Sequence, residues 1–493
     1  VEHEFVERPG GRMACQRSGQ GKTTSPRLTL AVLATGVAAF SMLQSLVTPA
    51  LPVMQRDLHT IPSTVTWVFT ALLLSGSVAT PLLGRIGDMV GKERTLLISL
   101  VALAAGCLLA ALAPNIGVLI AARVLQGLGG AVFPLSFGII RDEFPTERVP
   151  SVVGIVSAVI AASGGLGIVL AGPIVDALGW RWLFWIPLII VTIAAVIVRR
   201  YVPVSPNRVP GRIDWLAAAL LSGWLIALLL PLSMGRSWGW ASVPTIALFA
   251  AAVVLMAAWM TVELRSRNPL IDMRMMRIPA VWTTNLVALL FGAAMFAVYA
   301  FVPQFMQIPT VAGFGFGFSV TQAGLLMVPM LVTMAVAGSL SGPIAPRFSV
   351  KAQVIWGSFL SLVASLLFAE FHNAPWQVGL ATAIFGLGLG LAYASMTSLI
   401  VQNVPREQTG AATGMNTNIR TIGGSIGTAV ASSIITGHLQ PSGLPAEAGF
   451  TDTFILLSAF SAVAVLLALA IPTARRIRLA APDPLLETGQ VDE

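Results

Sequence analysis

Residues 84–94 read Gly84-Arg85-Ile86-Gly87-Asp88-Met89-Val90-Gly91-Lys92-Glu93-Arg94, a cluster of charges and glycines. On either side lies an apolar run with no charged residue, 65–84 and 95–113. At 1.5 Å per residue, about 20 apolar residues cross a hydrocarbon core of about 30 Å. The stretch therefore reads as a tight polar turn between two membrane-spanning helices. The same test carried outward gives fourteen runs: 28–53, 65–84, 95–113, 116–140, 151–177, 182–199, 214–232, 243–262, 281–306, 320–341, 350–369, 376–402, 409–435 and 451–472. Of 493 residues 56% are hydrophobic and 10% charged, against about 25% charged in soluble domains. The expected class is an all-α integral membrane protein with fourteen transmembrane helices, which argues against a soluble enzyme on one anchor.

Lys and Arg are retained in cytoplasmic loops. With the amino terminus inside, 24 of the 29 Lys and Arg residues fall on the cytoplasmic side; Arg56, Arg181 and Arg236 fall outside, and Arg123 and Arg420 lie within spans. Both termini are thus expected in the cytoplasm. The formal charge of +8 reflects this orientation, and no nucleic-acid partner is expected. The first 27 residues read as a disordered cytoplasmic tail with no cleaved signal, and 473–493 as a second tail. Cys15 and Cys107 sit in unlike surroundings and form no disulfide framework or metal site.

Sliding the chain on itself by 258 to 260 residues aligns Gly84 with Gly342, Lys92 with Lys351, Gly127 and Gly129 with Gly386 and Gly388, and Gly164-Gly165 with Gly423-Gly424. Phe144-Pro145-Thr146-Glu147 falls on Val404-Pro405-Arg406-Glu407. A repeat of this size means duplicated helical bundles. The expected organisation is a six-helix bundle over 28–199, a linker with two inserted helices over 200–280, and a second six-helix bundle over 281–472.

The 84–94 stretch resembles the G-x-x-x-D-x-x-G-[RK] signature of the major facilitator superfamily, in the loop where that family carries it. Gly84, Asp88, Gly91, Lys92 and Arg94 are candidates for a gating latch: the glycines permit a tight turn, while Asp88 at a helix end caps backbone N–H groups and pairs with a nearby Arg. The second-half loop keeps Arg347 and Lys351 but has Pro346 in place of the Asp. Arg123-Val124-Leu125-Gln126-Gly127 is similar to the R-x-x-Q-G motif of drug exporters in that superfamily. A cation about seven residues into a span is costly unless it faces a cavity or a partner. Ser163, Gly167 and Ala171, followed by Gly172-Pro173 and Trp180-Arg181-Trp182, resemble the antiporter motif of fourteen-span drug:proton antiporters, with Ile168 and Ala171 departing from it. Small residues at this spacing let another helix approach closely. In the thirteenth run, Asn416, Asn418 and Arg420 are too polar to face lipid; a cavity contact and plain interhelical hydrogen bonding are both open readings.

The resemblance covers about 28–475 and implies a proton-coupled exporter of amphipathic small molecules, not an enzyme, working by rocking of two bundles about a central cavity. Its implied partners are the substrate, membrane lipids and protons, its implied site is the plasma membrane, and a monomer is expected, with no cofactor. Alternatives are a lipid or envelope-precursor exporter, and a transport-inactive receptor or assembly partner. One departure matters: Leu43 stands where those antiporters carry a proton-binding Asp, and no Asp or Glu lies deep in any run. Arg123 and Arg420 must then find Gln44, backbone carbonyls, water or an anionic substrate. Gly19-Gln20-Gly21-Lys22-Thr23-Thr24 lacks the first glycine of a phosphate loop, and His3-Glu4 opens no zinc motif. Finally, Gly313-Phe314-Gly315-Phe316-Gly317-Phe318 alternates with period two, which predicts a short strand or flap with its three rings on one face.

Overall fold

The computed structural model describes residues 26–47, 50–65, 67–202, 214–266, 269–438, 440 and 444–472. The tails at 1–25 and 473–493, the segment 203–213 and the 19–24 motif lie outside the described residues. The first group of long helices is α1 Pro26–Leu46, α2 Trp67–Val90, α3 Lys92–Ala111, α4 Ile116–Glu143, α5 Val149–Leu178 and α6 Trp182–Tyr201. The inserted pair is α7 Trp215–Trp238 and α8 Val243–Arg265. The last group is α9 Pro279–Gln307, α10 Val320–Ile344, α11 Val350–Glu370, α12 Pro375–Asn403, α13 Thr409–Gly437 and α14 Glu447–Ala470.

Thirteen of the described helices are long and apolar enough to cross a membrane. The fourteenth is α13, whose 29 residues suffice in length but include Asn416, Asn418 and Arg420, all buried against other helices. Local signals set the boundaries. Asn115 accepts the Val118 N–H at the start of α4, Asp214 accepts from Leu216 and Ala217 at α7, and Ser349 accepts from Ala352 at α11, each satisfying a donor the helix cannot pair itself. Gly179 and Gly239 end α5 and α7 at φ of 87° and 89°, a conformation glycine adopts without steric cost.

The repeat is visible in packing. Gly127 leaves no room for a Cβ beside Ser75 and Gly76 of α2, and Gly386 none beside Met330 of α10. Gly129 abuts Leu103 of α3, Gly388 abuts Gly357 and Ser361 of α11. The same offset thus places the same small residue between equivalent helices in each half. The fourth run, expected to be one continuous helix, is broken by a 3-10 turn at Leu128–Ala131, where the glycines let the α2 backbone press in. The inserted pair stays attached to both halves: α7 packs on α8, with Trp224 and Trp259 centroids 5.9 Å apart, and also touches α2 and α13.

The strand expected over 313–318 does not form. Gly313, Gly315 and Gly317 take φ of 86°, 78° and 63°, which turns the chain at every second residue instead of extending it. The rings still gather at the end of α9: Phe314 lies 5.9 Å from Phe305 and 6.0 Å from Phe450, and Phe316 lies 5.9 Å from Phe305. The N–H groups of Gly317 and Phe318 donate to the Ile308 and Met306 carbonyls at 2.9 and 3.1 Å. The result is a packed knob. Replacing Phe314, Phe316 and Phe318 together by Ser is expected to open this segment to protease; protection equal to the native chain's would contradict the packing.

Candidate functional site

The halves meet mainly along two helix pairs, with α12 against α5 and α13 against α4 beside them. On one side α5 meets α10 along its length: Gly154 faces the Gly338 carbonyl, Gly165 faces Leu331, and Gly172 faces Thr321. On the other side α2 meets α13 from its middle, where Ser77 and Asn418 touch, to the end that carries residues 84–94. There a Cβ on Gly84 would lie 2.9 Å from the Gly410 oxygen, and one on Gly410 would lie 2.9 Å from the Gly84 oxygen. Gly84 is therefore a close-approach glycine inside α2 instead of a turn residue; the turn is at Gly91, with φ 127°.

Asp88 Oδ2 accepts the Ala411 N–H at 3.3 Å, in the first turn of α13. A carboxylate here meets an orphan donor and the positive end of the helix dipole. Lys92, 1% exposed, places Nζ 2.6 Å from Asp142 and 3.9 Å from Asp88. Lys92 is thus the basic group nearest Asp88 among the described residues, and Arg94 points outward, 3.9 Å from Glu93. Arg141 donates to the Pro405 carbonyl and to Thr409 Oγ1, and Arg406 donates to Thr146, so the two repeat-related segments clasp each other across the seam. In the second half no carboxylate does this work among the described residues. Gln353, which the sequence reading did not single out, instead bonds Ser341, Ser395 and the Phe348 carbonyl; a buried Gln three residues into a helix carries no signature of its own.

Away from this end the halves part around a cavity of about 770 Å³, within the 300–1,000 Å³ typical of small-molecule sites. It is lined by the first half of α2, the middle of α5 and the last half of α9, reaching Gln307 and Val320 at helix ends. Its wall is aromatic, with Phe40, Phe69, Phe133, Phe296, Tyr299 and Tyr393. Gln44, Asn418 and Arg420 face it; Asn418 also donates to the Ser77 carbonyl across the seam at 2.6 Å. Asn416 lies behind, bonded to Asn285 and to Arg420, both at 2.8 Å. The cavity and hydrogen-bonding readings of α13 therefore both apply.

Arg123 and Gln126 are not part of the wall. Arg123 is 0% exposed; its Nε donates to the Val68 carbonyl at 2.8 Å and its Nη1 to Gln126 Oε1 at 2.9 Å. Gln44 is not its partner. Gly167 leaves no room beside Met42 and Ser45 of α1, and Ala171 is fully buried. Ser163 is half-buried and Pro173 exposed, so the small-residue stripe is a seat for α1 on one face and, through Gly172, for α10 on another. Trp180 donates to Asp57 at 3.0 Å and Arg181 to the Ala113 carbonyl at 3.2 Å, anchoring the start of α6.

A sequence model of the Major Facilitator Superfamily matches residues 33–428. The chain belongs to that superfamily. This major facilitator protein is a transporter, not an enzyme, and it resembles resistance exporters over most of its length. It is 27% identical over 445 residues to the multidrug transporter protein MdtP of Bacillus subtilis (strain 168), covering 87% of this chain and 81% of the relative. It is 29% identical over 442 residues to the tetracenomycin C resistance and export protein of Streptomyces glaucescens, covering 88% and 80%. The methylenomycin A resistance protein of Streptomyces coelicolor (strain ATCC BAA-471 / A3(2) / M145) is 28% identical over 438 residues, covering 87% and 90%. The crystal structure of the human organic anion transporter MFSD10 (TETRAN) superposes with a TM-score of 0.64 at 17% identity, covering 90% of this chain and all of that one; this likeness concerns the fold.

Proposed function

We propose that this transporter exports amphipathic small molecules across the cell membrane by alternating access, with residues 28–199 and 281–472 as the moving bundles. The observation that carries the reading is a single interface between halves that is sealed at one end, backbone against backbone at Gly84 and Gly410, and parted around a cavity at the other. The positive-inside bias puts the sealed end and both termini in the cytoplasm, so the conformation described is outward-facing. An aromatic wall that accepts many shapes and relatives named for drug and antibiotic resistance support export of amphipathic compounds.

Proton coupling is part of the proposal, but its acceptor is placed outside the cavity. Among the described residues no Asp or Glu lines the wall, and Leu43 is fully buried at the position of the missing acid. Asp88, by contrast, is a buried carboxylate in the very contact that must break, next to Lys92 and Asp142. The test is uphill movement of a fluorescent amphiphile, phenylnaphthylamine or anilinonaphthalene sulfonate, in proteoliposomes under an imposed proton gradient. Accumulation abolished by a protonophore is the expected result. No gradient-driven movement of either probe would overturn the reading.

A further inference from the structure

Among the described residues, the central cavity carries one formal charge. Arg420 is the charged residue on its wall among the described residues, and the carboxylates nearest to span ends do not reach it: Asp176 and Glu370 are exposed at the ends of α5 and α11. Arg420 as a whole is 4% exposed, and its guanidinium is held in place from two sides. Its centre lies 3.8 Å from the Tyr393 ring centroid, a stacking arrangement suited to a planar cation, and one terminal nitrogen donates to Asn416 Oδ1 at 2.8 Å. Asn416 is in turn fixed by Asn285 at 2.8 Å. Every partner in this chain of contacts is neutral. The Arg420 Nε, fully buried, has no hydrogen-bond partner, although a guanidinium presents five donors.

A buried cation without a counter-charge is costly, and the cost falls when an anion arrives. A neutral wall of Phe and Tyr next to one fixed guanidinium is complementary to a molecule with an aromatic body and one acidic group, because Arg holds carboxylates and sulfonates through paired N–H donors. Arg123 does not compete for that role, since it is sealed from the cavity and its donors go to Val68 and Gln126. We propose that the cavity selects amphipathic organic anions, and that Arg420, seated by Tyr393, Asn416 and Asn285, is the residue that receives the acidic group. This inference deepens the export reading and rests on it for the cavity's being the substrate site.

The test uses two probes of the same aromatic skeleton, anionic anilinonaphthalene sulfonate and neutral phenylnaphthylamine, titrated by fluorescence into the full chain in nanodiscs, with empty nanodiscs subtracted. The sulfonate is expected to bind at least about tenfold more tightly, equivalent to about 1.4 kcal/mol. Arg420→Gln should erase that preference while changing affinity for the neutral probe less than about twofold, and Arg420→Lys should retain part of it. Gln44→Glu, which adds a negative charge to the wall without touching Arg420, should weaken sulfonate binding and keeps the test open if Arg420→Gln does not fold. Equal binding of the two probes by the native chain, or an equal loss of both in Arg420→Gln, would overturn the assignment. Flux separates this from the broader reading. Uphill export of the neutral probe with no anion preference sinks the anion assignment and leaves export standing. Selective sulfonate binding with no gradient-driven movement of either probe does the reverse.

Discussion

Asp88→Asn is expected to abolish uphill transport while leaving expression and thermal stability close to native. Asn keeps the size of the side chain and an oxygen for the Ala411 N–H, so the fold has little reason to fail. What it loses is charge. A carboxylate at a helix N-terminus contributes about 0.3–1 kcal/mol, up to about 2 kcal/mol when partly buried, and Asp88 also faces Lys92 at 3.9 Å. Lys92 stays compensated by Asp142 at 2.6 Å, which protects the bundle itself. The lost energy therefore falls on the contact between halves, where a coupling of about 1–3 kcal/mol shifts populations about 5- to 150-fold. Proteoliposome flux beside a melting curve checks this, and normal flux in the variant would contradict the latch.

Arg123→Met is expected to leave the melting temperature within a few degrees of native and to eliminate transport. The fully buried guanidinium bonds only neutral partners, Val68 and Gln126, and one terminal nitrogen has none. Desolvating such an ion costs several kcal/mol. A Met of similar length recovers that cost, while leaving the Val68 carbonyl and the Gln126 amide short of a donor costs about 1–3 kcal/mol each. The two effects offset, so stability changes little. On this balance Arg123 is expected to serve transport more than stability. Native flux in Arg123→Met would contradict a role in transport, and collapse of the fold would show that its role is structural.

Much of the architecture was legible because the membrane imposes it: every span needs about 20 apolar residues, and 84–94 and its counterparts punctuate them. The offset repeat was legible as paired glycines, and the structure sets Gly127 and Gly386 against equivalent helices, because a glycine at a helix crossing lets two backbones come close. The Phe-Gly alternation misled, because period two implies a strand only when φ is negative, and glycine alone removes that condition. The partners of Arg123 were only half legible. A backbone carbonyl such as that of Val68 has no side-chain identity to read, and whether an intramembrane cation faces a cavity depends on the rotation of its helix, which polar spacing within one span does not fix. Arg420 was readable as polar company on α13, but its place on the cavity wall required knowing that α2 and α13 part beyond Asn418.

The most direct test of the account is the distance between spin labels in the full chain, measured for one pair at the sealed end, Val90 and Gln402, and one at the cavity end, Ile61 and Val311. All four positions are exposed, and each pair spans the two halves. Alternating access predicts two populations whose distances change in opposite senses: when Val90 and Gln402 move apart, Ile61 and Val311 close. Asp88→Asn should raise the fraction open at the Val90 end. Distances at both ends that stay single and unchanged with added amphiphile, proton gradient and Asp88→Asn would contradict it.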